Sequence, residues 1–227
     1  YVENPDMNCK PYIISLAGLS LNDNIKIINK INRKMSSYEN YFFGKKNKLK
    51  VGIEINLSCP NIIGKGQLAY DFNNMKEYLD ELFLKISFKY ISIIGIKLPP
   101  YFELHHFKIV ANIIKQFPFN FITTINSIPN GLVIDHEKEC AVITPKQGLG
   151  GLGGSIVKPT ALANVFNFAK EFENTHISVI GCGGIESGVD VFEYILCGAS
   201  AVQIGTQYYK EGVSVFKRLN HELEELM

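Results

Sequence analysis

The chain has 227 residues, 46% of them hydrophobic and 20% charged, so it is long and apolar enough to bury a core. Its formal net charge of +1 excludes recruitment of nucleic acid or an anionic membrane by an overall field. No apolar run is long enough to cross a bilayer, and the start lacks the charged-then-apolar layout of a signal peptide. The 5 cysteines form no CxxC pair, which predicts free thiols in a reducing compartment.

Short runs rich in β-branched residues alternate along the chain with longer helical patterns. In chain order the predicted elements are strand 12–18, helix 24–35, strand 51–58, helix 71–84, strand 93–100, helix 103–117, strand 121–126, helix 159–172, strand 177–182, a helix from about Ser187 to Leu196, strand 201–205 and a helix from Phe216 to Leu226. A long glycine-rich loop is predicted from Ser127 to about Ser155.

This repeated strand-then-helix order predicts a parallel sheet covered by helices. The candidates are an open doubly wound sheet and a (β/α)8 TIM barrel. A dinucleotide-binding fold places its glycine motif after the first strand, whereas here glycines follow the last two strands, in GCGGIESG (181–188) and IGTQ (204–207). TIM barrels often bind phosphate with the loops after strands 7 and 8. We therefore predict a single TIM-barrel domain over residues 1–227 that carries barrel strands 3 to 8 and lacks the N-terminal βα units.

The glycines after the last two strands predict a phosphate site. Gly183 and Gly184 would let backbone N–H groups approach a phosphate with no Cβ in the way. The helix that begins near Ser187 would add its N-terminal dipole, and Gly205 and Thr206 would close the site from the next strand. The alternative interpretation is that these glycines only end strands.

Two lysines are candidates for an anionic ligand. Lys97 lies inside an apolar strand, between Ile96 and Leu98, where burial is costly unless something anionic meets the ammonium group. An electron-rich cofactor edge would suit it, and the alternative is a lysine that reaches solvent. Lys146 lies in TPKQGLGGLGG, a loop flexible enough to fold over a site, or it is a surface lysine.

Amides and a thiol follow two of the predicted strands. Asn56 and Asn61 flank the end of one strand, and Asn126 and Ser127 end another. Converging on one mouth they would suit a planar substrate with carbonyl and N–H groups, although singly each asparagine is a common turn residue. Cys59 lies beside them, and a thiol with an ordinary pKa of about 8.5 can act as a base near neutral or mildly alkaline pH. The alternative for Cys59 is inert packing.

Several segments of the chain resemble dihydroorotate dehydrogenase. They are INLSCPNIIGKGQLAYDF (55–72), GIKLPPYF (95–102), INSIPNGLVID (125–135), GGLGGSIVKPTALANV (150–165) and IGCGGIESGVDVFEYILCGAS (180–200). The combination of LSCPN, QLAYDF and KLPPYF is highly specific, and the likeness to the soluble class 1A branch runs from residue 12 to the end. The resemblance implies an FMN-containing TIM barrel that oxidises dihydroorotate to orotate in pyrimidine biosynthesis. It also implies a cytoplasmic homodimer that passes electrons to fumarate.

The resemblance assigns a role to each candidate residue. It makes Cys59 the base that removes the C5 proton of dihydroorotate while hydride passes from C6 to flavin N5. Lys97 would face the N1/O2 edge of the flavin. The implied substrate-binding residues are Asn56, Asn61, Asn126 and Ser127. The implied cofactor-binding residues are Lys97, Lys146, Gly154, Gly183, Gly184, Gly205 and Thr206. No histidine or carboxylate cluster indicates a metal site.

The sequence departs from the family pattern in three places. The N-terminal portion is absent, residues 38–50 look like an enlarged loop, and Pro129 stands where the class usually has glycine. The proline follows Asn126 and Ser127 closely, so the path of that loop is in question. Two rival functions stay open, a dihydropyrimidine dehydrogenase-like flavin barrel and a degenerate barrel without catalysis. Asn61 and the segment QLAYDF argue against the first, and intact Cys59 and Lys97 against the second.

Overall fold

The computed structural model describes residues 12–41, 51–58 and 67–227. Its elements are β1 (Tyr12–Leu16), α1 (Leu21–Tyr41), β2 (Val51–Asn56), α2 (Phe72–Lys85), β3 (Ile93–Leu98), α3 (Leu104–Ile114), β4 (Phe121–Thr124), β5 (Ile128–Gly131), β6 (Ile134–Asp135), β7 (Cys140–Ala141), β8 (Gly150–Leu152), α4 (Lys158–Phe172), β9 (Ser178–Cys182), α5 (Gly188–Leu196), β10 (Ala201–Gln203), α6 (Thr206–Glu211) and α7 (Ser214–Glu224). The chain divides into two compact units. The first comprises Tyr1–Lys97 and Asn112–Phe121, and the second comprises Leu98–Ala111 and Ile122–Met227.

Three parallel strands form the sheet of the first unit. β1 pairs with β2 and β2 pairs with β3, which brings Asn56 and Lys97 side by side in the register. β2 is buried over nearly its whole length, as expected of a parallel strand that is covered on both faces. The polar ends of these strands are therefore held by an apolar framework.

Helix α2 shows why the sequence folds as it does in this unit. The Asp71 side chain caps the helix by accepting from Asn74 N at 3.1 Å. Met75, Leu79 and Leu82, spaced four and three residues apart, are buried on one face. The helix therefore lies within a residue or so of its predicted bounds.

The second unit repeats the strand-then-helix pattern. Its strands lie in the order β4, β9, β10, and β9 and β10 are parallel. α4 packs on β9, and Pro159 occupies its first turn, as predicted. Within each unit the strands follow chain order, without the reversal that a doubly wound sheet requires. The mixed α/β class with parallel strands is confirmed, whereas closure into a full (β/α)8 barrel stays a prediction.

The segment predicted as one loop from Ser127 to Ser155 contains four short strands, so that prediction was wrong. β5 pairs antiparallel with β8, and β6 pairs antiparallel with β7. Pro129 lies in β5, where the register with β8 is irregular. A proline has no N–H to donate to a ladder, so an irregular edge pairing accommodates it.

Helix α1 is longer than its predicted range of 24–35. The Ser20 hydroxyl accepts from Asp23 N at 3.1 Å, which starts the helix early. The helix ends at Tyr41, so the predicted loop 38–50 begins too soon, and residues 42–50 lie outside the described part. Among the helices of the described residues, none has both the length and the apolar character that a membrane crossing requires.

Candidate functional site

One cavity of about 100 Å³ lies within the second unit, where β4, β8, β9 and β10 end. Its lining includes the predicted residues Asn126, Ser127, Gly154, Gly183, Gly184, Gly205 and Thr206. In barrel enzymes the active site lies at the ends of the strands. The volume is below the ~300–1,000 Å³ of a typical complete ligand site, so these residues fit one end of a larger ligand.

Glycines at two positions shape the turn after β9. Gly183 and Gly184 have φ angles of 137° and 70°. A Cβ on Gly183 would lie 2.9 Å from the Cβ of Ala161, and one on Gly184 would lie 2.7 Å from the Cβ of Lys158. Gly205 differs, because its φ is −110° and nothing lies within 4 Å of its Cβ position. Backbone conformation and close packing therefore favour glycine at positions 183 and 184, whereas position 205 borders open space.

Backbone donors of the cavity have the character of an anion site. Within the described residues, the N–H groups of Gly184, Gly205 and Thr206 meet no protein acceptor. N–H groups in turns of this kind form concave sites for anions such as phosphate. The cavity thus combines open space with backbone donors that the fold does not use.

The N-terminus of α5 does not play the part predicted for it. Asp190 accepts from the N–H groups of Glu186 and Ser187, both at 2.8 Å, and Glu222 accepts from Gly188 N at 2.6 Å. The Ser187 hydroxyl accepts from Asp190 N at 3.3 Å. Two carboxylates therefore occupy the donors and offset the dipole that we expected to face a phosphate.

A part-buried ion cluster joins α4 to α5 behind this turn. Lys158 donates to Asp190 at 2.6 Å and to Glu193 at 2.9 Å. These hydrogen bonds, the one to Asp190 first, raise the pKa of Lys158. Burial opposes ionisation of Asp190, but hydrogen bonds from Lys158, Glu186 N and Ser187 hold its pKa below the ordinary value. Asp190 is therefore a carboxylate at neutral pH.

Two hydrogen bonds to neighbouring backbone groups hold Asn126 just after β4. Its N–H donates to the Leu98 carbonyl at 2.8 Å, and its side-chain oxygen accepts from Ser127 N at 2.8 Å. Asn126 is half-buried and Ser127 is exposed. These contacts hold Asn126 in the lining of the cavity, just after β4.

The first unit holds the other predicted polar residues. The Asn56 side-chain oxygen accepts from the N–H and the hydroxyl of Ser58, at 3.0 and 3.1 Å, in a tight local turn. Lys97 is half-buried, and its carbonyl accepts from Leu57 N at 3.2 Å. Cys59 and Asn61 lie outside the described residues, as does the side chain of Lys146. The roles of these residues stay predictions.

Gln203 and Cys182 are among the cavity residues that the sequence analysis did not single out. Gln203 lines the cavity and donates to the Thr123 hydroxyl at 3.2 Å. Cys182 is half-buried and also lines the cavity. A polar residue within the apolar run AVQIG was the available signal for Gln203. In the part of the chain that the structure describes, no group of His, Cys, Asp or Glu is arranged to hold a metal ion.

The comparison with protein families identifies the chain. The sequence model described as dihydroorotate dehydrogenase matches residues 5–227. The chain belongs to the dihydroorotate dehydrogenase family. The resemblance drawn from the motifs is thus confirmed.

Members of the dihydroorotate dehydrogenase family with the word "fumarate" in their names are close in sequence. Dihydroorotate dehydrogenase (fumarate) of Saccharomyces paradoxus is 48% identical over 225 residues, which are 99% of this chain and 65% of the relative. The protein of the same name from Lachancea kluyveri is 49% identical, over 96% of this chain and 63% of the relative. Dihydroorotate dehydrogenase A (fumarate) of Lactococcus lactis is 48% identical, over 96% and 64%. The chain therefore spans just under two thirds of the length of these relatives.

A solved structure of DHODH from Eimeria tenella, in complex with ferulenol, is similar to this chain. The TM-score is 0.57 at 18% identity, over 92% of this chain and 64% of the other. At that identity the likeness concerns the fold alone. It places the parallel α/β arrangement of this chain in the same fold.

Proposed function

We propose that the full-length protein oxidises dihydroorotate to orotate in de novo pyrimidine biosynthesis, with FMN as cofactor and fumarate as electron acceptor. The observation that carries this proposal is the family match over residues 5–227, with relatives whose names state the reaction and the acceptor. The same resemblance supports a cytoplasmic location.

The cavity of the second unit fits the phosphate end of FMN. Gly183 and Gly184 adopt positive φ angles that favour glycine and leave no room for a Cβ, and the open space at Gly205 leaves room for a ligand group. The donors of Gly184, Gly205 and Thr206 suit phosphate oxygens. Gly154, with a φ of 83°, completes the lining. When bound, FMN supplies the hydride-accepting chemistry.

Three residues take the charged roles in this proposal. Cys59 removes the C5 proton of dihydroorotate, since a thiolate is a far better base than water at neutral pH. Lys97 places a half-buried positive charge where negative charge develops on the cofactor, and Lys146 belongs to the same cofactor-binding set. The Leu57 N–H donates to the Lys97 carbonyl at 3.2 Å, which holds the backbone of Lys97 near the end of β3.

The substrate-binding set in this proposal is made of amides and one hydroxyl. Asn56, Asn61, Asn126 and Ser127 hold the pyrimidine ring and its carboxylate. The support for Asn126 and Ser127 is that both line the cavity that takes the cofactor end. Amide side chains can both donate and accept, which matches a ring that presents carbonyl and N–H groups.

We also propose that the protein is a homodimer. Support comes from exposed apolar side chains on and beside the small strands β6 and β7, which we call the hairpin patch. The hairpin patch consists of Leu132, Val133, Ile134, Val142 and Ile143. Apolar surface concentrated in this way commonly marks a protein–protein interface.

The proposed function is tested by product and chromophore analysis of the full-length protein. We expect denaturation to release FMN, and the native protein to convert dihydroorotate to orotate with fumarate present and not without an acceptor. Release of FAD, or reduction of uracil with a nicotinamide cofactor in place of dihydroorotate oxidation, would reject the proposal. A folded protein that binds no flavin would point to the non-catalytic alternative.

A further inference from the structure

Tyr194 of α5 is buried beneath the glycine turn that follows β9. Its side chain is fully buried, and its hydroxyl donates to the Gly183 carbonyl at 2.6 Å. A Cβ on Gly181 would lie 2.3 Å from the tyrosine ring, so the ring fills the space that this glycine leaves. Burial raises the pKa of Tyr194, which keeps the phenol protonated and able to donate.

The hydrogen bond from Tyr194 also fixes the direction of a neighbouring donor. The Gly183 carbonyl and the Gly184 N–H belong to one planar trans peptide unit, so the two groups point in opposite directions. Because Tyr194 holds the carbonyl on its own side, the Gly184 N–H must point away from it. Gly184 lines the cavity, and within the described residues its N–H meets no protein acceptor.

The backbone N–H groups at the start of α5 do not compete with the glycine turn for an anion, because carboxylates of the protein already accept from them. Asp190 and Glu222 accept from the N–H groups of Glu186, Ser187 and Gly188 there. Without the Tyr194 hydroxyl, the peptide between two glycines would lose the hydrogen bond that holds its orientation, and glycine restricts the backbone least of all residues. The donor would then lose its fixed direction.

We propose that Tyr194 is a positioning residue for the cofactor, which holds the Gly183–Gly184 peptide so that the Gly184 N–H is aimed at the phosphate of FMN. This inference rests on the proposed function. It assigns Tyr194 to phosphate recognition, not to the flavin ring and not to the chemistry on dihydroorotate.

The test compares FMN with riboflavin, which lacks the phosphate, on the full-length apoprotein of a Tyr194→Phe variant. Loss of one positioning hydrogen bond should raise the dissociation constant of FMN about three- to tenfold, while that of riboflavin stays unchanged. Tyr78→Phe is the matched control. It removes a half-buried phenol hydroxyl that accepts from Asn24 at 2.6 Å in the first unit, and it should change neither constant.

The outcomes separate this inference from the proposed function. Equal weakening of FMN and riboflavin, or no change in either, would overturn the role of Tyr194 even though the parental protein binds FMN. A parental protein that binds no FMN would overturn the proposed function itself, and the inference with it.

A second measurement needs no variant. The Gly184 amide resonance of glycine-labelled protein should shift on binding of FMN and not on binding of riboflavin. Equal shifts with both ligands would count against the role of Tyr194.

Discussion

A methyl group added at Gly184 would clash with its neighbours, whereas one added at Gly205 would enter open space. Alanine substitutions at these two positions therefore separate an effect on folding from an effect on ligand binding. Gly184→Ala puts a side chain at a φ of 70° and 2.7 Å from the Cβ of Lys158. We expect a loss of about 1–3 kcal/mol in the free energy of unfolding, measured in urea. Gly205→Ala is the matched control. Its methyl group enters open space, so we expect a change of at most about 0.5 kcal/mol in stability but weaker FMN binding.

Two results would contradict the predictions for Gly184→Ala and Gly205→Ala. A Gly184→Ala variant as stable as the parent would mean that the turn relaxes freely. A Gly205→Ala variant with unchanged FMN affinity would mean that the open space at Gly205 does not receive the cofactor.

At Cys59 the prediction concerns one half-reaction. Cys59→Ala should slow flavin reduction by dihydroorotate about 10²–10⁴-fold and leave FMN bound, because a positioned base contributes about that much. Cys59→Ser should keep a little activity, shifted to higher pH, since a hydroxyl is harder to ionise. Stopped-flow reduction of the full-length variants across pH measures both effects. Reduction of the Cys59→Ala flavin at the parental rate would make Cys59 structural.

At the scale of elements, the ion cluster of Lys158, Asp190 and Glu193 joins α4 to α5. We expect Lys158→Met to lower the free energy of unfolding by about 1–2 kcal/mol at neutral pH, because it leaves the part-buried Asp190 without its cation. The exposed pair of Lys76 and Asp80 supplies the control, and Lys76→Met should change stability by well under 1 kcal/mol.

The pH dependence of this cluster has a definite sign. The pKa of Asp190 is lowered in the folded protein, so its contribution is complete above the ordinary pKa of about 3.9 and is lost as the pH falls through the lowered value. The pKa of Lys158 is raised, so its contribution is lost only as the pH rises above about 10.4. The difference between parent and Lys158→Met should therefore shrink below about pH 4. A difference that grows on acidification would contradict this account.

The elements also show how far the sequence alone predicts the fold. Helices α2 and α4 were located to within about a residue, because a buried stripe and a capping or proline residue are local signals. The strands β5 and β8 were missed, since each is short and gains its order from pairing with a distant segment. Helix α6 was missed for a different reason, because six residues carry too little periodicity to recognise.

The candidate site was predictable to a similar degree. Gly183 and Gly184 were found from the sequence because a turn that needs positive φ leaves a glycine signature. The use of the α5 N-terminus was predicted wrongly, because one of its partners, Glu222, comes from a helix far along the chain. Tyr194 and Gln203 face the turn and the cavity through tertiary packing, which no local pattern reports.

At the scale of the whole molecule, the hairpin patch predicts self-association. We expect the full-length protein to be a dimer by light scattering, and Val133→Asp with Ile134→Asp to shift it towards monomer, since charges at the centre of an interface are strongly disfavoured. Leu84→Asp is the control, because Leu84 is 85% exposed at the end of α2, outside the patch. A monomeric parent, or a double variant that stays fully dimeric, would remove the patch from the interface.

The central claim is that the complete protein is a flavin enzyme acting on dihydroorotate, and its most direct test is an anaerobic visible spectrum. The full-length protein should show a flavin band that bleaches on addition of dihydroorotate and returns on addition of fumarate. A protein without a flavin band, or a band that dihydroorotate leaves unchanged, would contradict the account.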